Sequence, residues 1–366
     1  MFIKSLDIVN FRNYKNLSIN LGENINIFYG NNAQGKTNLL ESIYFLALTK
    51  SHRSFIDDNL IKSGEVSSKL VVQLYNNNIM KELKIILSSS SKKLYIDNNI
   101  VKKVSDYVSN LNVVIFYPED LDLIKGGPII RRRFINLEIS QLFSGYMDIF
   151  NDYKKLIKIK NNYLKKSKID SKFDKFYYDS LNNCIIDKSV MIYIMRKKFI
   201  DKINLYCNKI FFDLCGVEGF NIKYKTSIDV NNDKKVLRDL LIEQSNTLFN
   251  DEYKYCKNLL GPNFDDIEFY INDMNIKKFG SQGQQRMAVL ALKLSEIEIF
   301  KNYLNSYPVL LLDDVFSELD NLKKNNLLKY IKSSVQTIIT TTDLDSFNED
   351  LINSANVYEI SEGKII

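Results

Sequence analysis

Three clusters in this sequence combine residue types and spacings suited to phosphate chemistry. The first, Gly30-Asn31-Asn32-Ala33-Gln34-Gly35-Lys36-Thr37, reads G-x-x-x-x-G-K-T. Its glycines permit a tight turn and close approach of backbone to a polyphosphate. Lys36 would reach the β and γ phosphates, and the Thr37 hydroxyl would bind Mg²⁺. The second is Asp313-Asp314, directly after the apolar run Val309-Leu310-Leu311-Leu312. Two acids at the end of a buried strand are costly without a cation or hydrogen bonds, and a metal–phosphate site supplies that partner. Asp313 is placed to hold the Mg²⁺ shell and Asp314 to orient or deprotonate the attacking water. The third is Ser281-Gln282-Gly283-Gln284-Gln285-Arg286, at the start of a helical pattern. A serine hydroxyl, bare glycine N–H groups and a helix dipole make a second anion site there. The candidate catalytic residues are therefore Lys36, Asp313 and Asp314, and the candidate metal ligands Thr37 and Asp313. Gly30, Asn31, Asn32, Ala33, Gln34, Gly35, Lys36 and Thr37 are candidate nucleotide contacts, together with Ser281, Gly283 and Gln284.

The surrounding elements suit these roles. Ile25–Tyr29 reads as a strand, and Asn38–Leu48 as a helix with no Gly or Pro. Strands over 2–9 and 17–21 precede the loop's own strand. Residues 69–75, 81–87 and 93–97, separated by Asn- and Ser-rich clusters, predict an antiparallel meander. A short helix follows over 104–110, then a buried strand over 111–117 that ends at a helix start, Pro118-Glu119-Asp120-Leu121. After the boundary Gly126-Gly127-Pro128, the chain to Asp213 has no proline and a single glycine, Gly145. Its apolar spacing predicts one long helix from Leu137 to Ile157 and a return from Val190 to Ile210. The polar run 165–175 would form the turn of a helical hairpin or small bundle. Strands are expected at 220–224 and 267–271, and a helix over 236–260 ended by Gly261-Pro262. The strand before Asp313 is expected beside the strand before Gly30, and one more runs over 336–342.

Composition narrows the function classes. Hydrophobic content of 45% and charged content of 26% over 366 residues are those of a globular protein. The net charge of +6 is unevenly placed: residues 151–210 hold fifteen Lys/Arg against six Asp, so this segment carries +9 and the rest −3. That surplus fits a solvated face or contact with DNA. Four cysteines without C-x-x-C spacing, and His52 as the only histidine, argue against a zinc site and suit a reducing cytosol. His52, between Lys50 and Arg53, suits a packing role or one near nucleotide or DNA. The N-terminus lacks the apolar core of a signal peptide, and no apolar stretch approaches a membrane span. A cytoplasmic protein is expected.

The Ser281–Gln284 run is similar to the Ser-Gly-Gly-Gln signature of ATP-binding-cassette proteins, matching at Ser281, Gly283 and Gln284 and departing at Gln282. A signature about 245 residues beyond the phosphate loop, with an arm between, resembles SMC-like ATPases. The whole chain resembles the RecF family of bacterial gap-repair ATPases. The resemblance rests on Ile8–Tyr14, Gly30–Glu41, Ser51-His52-Arg53, Gly126-Gly127-Pro128 with Arg132-Arg133-Phe134, Ser281–Arg286, and the run from Leu311 to Asp320. It implies an α/β fold: a P-loop ATPase head of ABC/SMC-like type, a mixed sheet with an antiparallel β meander, formed by 1–128 and 213–366. A mainly α-helical arm would be inserted at 129–212. It implies ATP and Mg²⁺ as cofactors, and adds Arg12 to the nucleotide contacts. It implies an ATP-dependent homodimer in which Ser281 of one head completes the site around Lys36 of the other. Binding to DNA at single-strand gaps and single-strand/double-strand junctions is implied too, with slow, DNA-stimulated ATP hydrolysis. RecR and RecO would be partners in promoting RecA loading. An SMC-like structural DNA clamp that uses ATP binding as a signal needs the same Lys36, Asp313 and Ser281. A transporter's cassette subunit would carry a glutamine loop and a switch histidine. Here Thr341-Thr342-Asp343 stands at the histidine's place, and Pro118-Glu119-Asp120 lies near the loop's. Asp-Asp in place of Asp-Glu suits slow turnover.

Overall fold

The structure is a computed structural model and describes residues 1–54, 56–77, 79–231, 233–319, 321–331, 335–345 and 347–366. Asp320, which closes the run from Leu311, lies outside the described residues. The chain divides into two compact units. One comprises Met1–Leu121, Tyr206–Glu218 and Gln282–Ile366, the other Asp122–Leu205 and Gly219–Ser281.

The first unit is built on two six-stranded sheets. One is antiparallel, in the order β2 (Tyr14–Asn20), β1 (Phe2–Phe11), β4 (Ser67–Asn76), β5 (Ile79–Ser88), β6 (Ser91–Ile96), β7 (Asn99–Val101). Its strands alternate as a one-sided sheet should: Leu83, Ile85 and Leu87 are buried while Lys84 and Ile86 between them are less so. The other sheet runs β15 (Lys364–Ile365), β14 (Asn356–Ser361), β3 (Ile25–Tyr29), β13 (Thr337–Thr341), β12 (Val309–Asp313), β8 (Val113–Phe116). All but β15 are parallel. Val309–Leu312 are fully buried because parallel strands are covered on both faces.

Helix α1 (Lys36–Leu48) touches strands of both sheets, so Leu39 to Leu48 are buried all round and the helix has no polar face. The expected neighbourhood of β3 and β12 is corrected. β13 lies between them, pairing Thr340 with Phe28 on one side and with Asp313 on the other. Parallel strands are joined by long crossovers, so sequence order leaves their spatial order open. A short helix α2 (Val104–Val108) follows the antiparallel sheet.

The second unit holds α3 (Asp122–Lys125), α4 (Pro128–Leu142), α5 (Tyr146–Ile169), and the Lys175–Leu205 portion of α6 (Lys175–Cys215). It continues with β9 (Phe220–Lys225), α7 (Lys234–Tyr255), β10 (Asp266–Ile271), β11 (Met274–Asn275) and α8 (Ile276–Phe279). The helix expected from Leu137 to Ile157 is broken. Phe143 takes an extended conformation, and a new helix starts after Gly145. The turn expected at 165–175 is found at 170–174. Residues 219–281, read from sequence with the head, pack with the helices of 122–205. Ile186, Val190 and Tyr193 share a core with Val230, Leu237, Leu241 and Leu260. Two of the fifteen basic residues counted in the arm are interior. Lys160 pairs with Glu252 at 2.6 Å, both fully buried, and Arg196 pairs with Asp265 at 2.9 Å. The chain returns to the first unit with α9 (Gln282–Leu304), then α10 (Asn321–Tyr330) and α11 (Glu349–Ser354). Among the described residues no helix is long and apolar enough to cross a membrane.

Candidate nucleotide site

The phosphate loop fills the turn between β3 and α1, and its backbone requires its glycines. Gly30 has φ +147° and Gly35 φ +117°, and a Cβ on Gly30 would lie 2.3 Å from the Ile360 carbonyl oxygen. Lys36 is nearly buried, and its Nζ donates to the Gly30 carbonyl at 2.6 Å and the Asn31 carbonyl at 2.8 Å. Burial lowers its pKa, and the nearby charges of Asp314 and Asp313 act the other way. The lysine is thus held over the loop, and the residues from Gly30 to Thr37 form one cradle.

β12 brings its acids to the same end of the sheet despite the intervening strand. Thr37 Oγ1 donates to Asp313 Oδ1 at 3.0 Å, and Thr340 Oγ1, on β13, donates to the same oxygen at 2.7 Å. Burial raises the pKa of Asp313, with Asp314 adding to it, while the hydrogen bonds from Thr340 and Thr37 and the charge of Arg53 oppose. A hydroxyl and a buried carboxylate converging in this way fit a hard divalent cation, which takes oxygen ligands and favours an ionised carboxylate. Asp314 adopts the left-handed conformation, φ 52°, and its buried Oδ1 has no hydrogen-bond partner among the described residues. Asp313 and Asp314 also line a pocket of about 60 Å³ with Phe116, Tyr117, Asp120 and Arg286. The Pro118–Leu121 turn, a 3₁₀ turn that runs on into α3, therefore reaches the acids.

Arg12 is tied to α1. Its guanidinium makes a bidentate pair with Glu41, 2.8 Å at each contact, and its Nη1 donates to the Asn59 carbonyl at 2.8 Å. Glu41 is fully buried on α1 and also accepts from Ser51. Burial pushes its pKa up, but the Arg12 and Ser51 hydrogen bonds and the Arg12 charge override this and leave it lowered. Arg53 donates to Asn38 Oδ1 at 3.1 Å. His52 packs its ring against Tyr44 and Tyr117, at centroid distances of 5.2 and 4.7 Å.

Ser281, Gln282 and Gly283 are exposed at the N-terminus of α9, and Gln284 is partly covered. The site thus joins Gly30–Thr37 to Asp313 through the Thr37 hydroxyl, with Asp314 next in the chain and Arg286 of α9 on the wall of the pocket that both acids line.

Several supporting residues escape the sequence reading. Asn13 donates to the Gln34 carbonyl at 3.0 Å and accepts from Asn38 at 2.8 Å, while Tyr14 Oη donates to the Gly35 carbonyl at 3.0 Å. The Glu362 and Gly363 amides, in the turn between β14 and β15, donate to the Gln34 side chain and carbonyl at 2.5 and 3.0 Å. Thr340 is the fifth such residue. Only Asn13 and Tyr14 carried a signal, as a polar turn just ahead of the loop.

Comparison with known proteins covers the full length. A family model described as the RecF/RecN/SMC N-terminal domain matches residues 2–364. The chain is 39% identical to the DNA replication and repair protein RecF of Lactobacillus johnsonii, covering 100% of this chain and 99% of that one. It is 37% identical to RecF of Geobacillus kaustophilus over the same shares. Among solved structures it superposes on the recombination mediator protein RecF with ATP, of the RecFOR pathway. The TM-score there is 0.92, with 28% identity, 100% of this chain covered and 97% of that one. An SMC head bound to the C-terminal winged-helix domain of ScpA shares the fold, with a TM-score of 0.55 at 15% identity, 100% of this chain covered and 98% of that one. A phosphate loop, an acid pair at the parallel sheet edge and a full-length match in sequence and fold agree, and the chain belongs to the RecF family.

Proposed function

We propose that the protein is an ATP-dependent DNA-binding protein of recombinational gap repair and replication restart, acting with RecO and RecR to promote RecA loading on single-strand gaps. The observation that carries this is the convergence of Thr37 and Asp313 at 3.0 Å beside Lys36, in a chain that matches RecF proteins from end to end. In this reading Gly30–Thr37 hold the triphosphate and Lys36 faces its β and γ phosphates. Thr37 and Asp313 hold Mg²⁺, which when bound neutralises charge between those phosphates. Asp314 orients the attacking water. Ser281 and Gly283, exposed at a helix N-terminus, and the partly covered Gln284 meet the γ-phosphate of a second molecule, so ATP joins two heads. Arg12, paired with Glu41, supports the loop–helix junction in each head.

The head and arm division of the sequence reading is retained as a proposal, with 219–281 moved from head to arm on the packing described above. Cytoplasmic location follows from the work on DNA. Hydrolysis would be slow and would reopen the dimer. The test is Asp314→Asn, which keeps the shape and removes the base. It is expected to bind ATP, dimerise more stably in sedimentation and hold gapped duplex longer than wild type. Binding of ATP with neither effect would sink the gated-dimer reading. A clamp for which hydrolysis is incidental would instead show wild-type DNA lifetimes in the variant.

A further inference from the structure

One end of the second unit is dressed for a ligand that the nucleotide site does not explain. There the C-terminus of α5, the turn at 170–174, the start of α6 and the C-terminus of α7 meet. The junction is held by buried or half-buried rings. Phe173 packs on Tyr163, Tyr178, Phe249 and Tyr253 at centroid distances of 5.4–6.0 Å. The turn is pinned by Tyr163, whose hydroxyl donates to the Asp174 carbonyl at 2.8 Å and accepts the Asp174 amide at 2.7 Å. Lys168 Nζ donates to the Lys254 carbonyl at 2.9 Å, tying α5 to α7. The scaffold is complete without the outer residues.

Those outer residues are apolar rings and cations. Phe176 is 83% exposed, Tyr255 61% and Tyr177 43%, and Ile169 stands beside them at 82%. Lys165, Lys166, Lys172 and Lys257 are exposed on the same end and make no ion pair among the described residues. The acids at the surface there are Asp170, Asp174, Asp179 and Asp251, while Glu252 is buried and paired with Lys160. Asp174 caps α6 through the Tyr177 amide, and Asp179 is occupied by Lys175 at 3.3 Å. Exposed rings and lysines that make no ion pair among the described residues, on one end of the unit, suit a chain that offers stackable faces and regularly spaced negative charge together. A single nucleic-acid strand is that chain, whereas a duplex keeps its base faces inside the stack.

We infer that this end of the helical unit is a single-strand binding platform, on which Phe176 and Tyr255 stack bases while Lys165, Lys166 and Lys172 follow the phosphates. The inference rests on the DNA-binding reading above and names a surface for it. It assigns the single-stranded side of a gap to the helical unit.

The chain has no tryptophan, so Phe176→Trp places one fluorophore on the platform. With an oligothymidylate of about 20 nucleotides, its emission is expected to be quenched on binding. Phe176→Ala/Tyr255→Ala is expected to bind that oligonucleotide at least about thirtyfold more weakly with an unchanged salt slope. Lys165→Gln/Lys166→Gln/Lys172→Gln is expected to lower the slope of log K against log salt by about 2. The replaced groups are exposed, so thermal unfolding should match wild type. Wild-type affinity and slope in both variants, or an unquenched tryptophan at saturating oligonucleotide, would overturn the platform while ATP-dependent binding to gapped duplex still stood. Loss of RecR binding in the variants with single-strand affinity intact would overturn it too, making this end a protein-docking surface. A wild-type protein that binds no DNA in any form would remove the functional reading itself.

Discussion

Glu41 is the residue on which the loop–helix junction turns. It is buried on α1 with Arg12 paired across two hydrogen bonds and Ser51 beside it. Removing a charge from such a pair leaves the other stranded in a low-dielectric site. Its folded pKa is depressed below the ordinary value of 4.5, so its contribution is present above that value and is lost as pH falls through the folded pKa. Glu41→Gln is therefore expected to lower stability by roughly 3 kcal/mol at pH 7, with the difference from wild type shrinking below about pH 4. Urea unfolding at both pH values checks this. An equal gap at both would show that shape, not charge, matters here. The place of Lys36 was legible from its motif, whose order sets a lysine at the end of the loop. Glu41 was not, because a carboxylate four residues into an apolar helix reveals its partner only when β1 and the residues after α1 fold around it.

At the scale of elements, the Pro118–Leu121 turn ties the acid-bearing sheet edge to α9. Asp120 is buried, accepts the Tyr117 amide at 3.0 Å and faces Lys293 of α9 at 3.7 Å. Burial pushes its pKa up to about 6, with Lys293 opposing. A carboxyl whose folded pKa is raised takes up a proton more readily when folded. Stability on this account is greatest below about pH 4 and falls as pH rises to about 6. Asp120→Asn is expected to flatten that dependence, measured by melting temperature across pH 4 to 7. An unchanged slope would place the titration on another group. Element type was largely readable, since alternation marked the antiparallel sheet and unbroken apolar runs marked α1, α9 and β12. Ends and order were less so. The Gly145 break sits inside a continuous apolar pattern, and the place of β13 between β3 and β12 depends on crossovers that leave no local trace.

For the whole molecule, the exposed Ser281–Gly283 at the start of α9 set the expectation. If the signature serves a second copy, Lys36→Ala and Ser281→Arg are each inactive alone. Mixed in equal amounts they should recover about a quarter of wild-type ATPase activity, because half the dimers are mixed and each has one intact site. Activity no greater than the sum of the separate variants would place the signature in the same chain's site. The sequence by itself determined the family, because Gly30–Thr37, Ser281–Arg286 and Asp313-Asp314 are local patterns of residue type and spacing that need no fold to be read. Only the tertiary structure decided which strand parts the two halves of the site, that Lys160 and Arg196 are interior rather than surface charges, and that 219–281 packs with the helices. Burial and strand order come from contacts between residues far apart in the chain, and composition and periodicity do not record them.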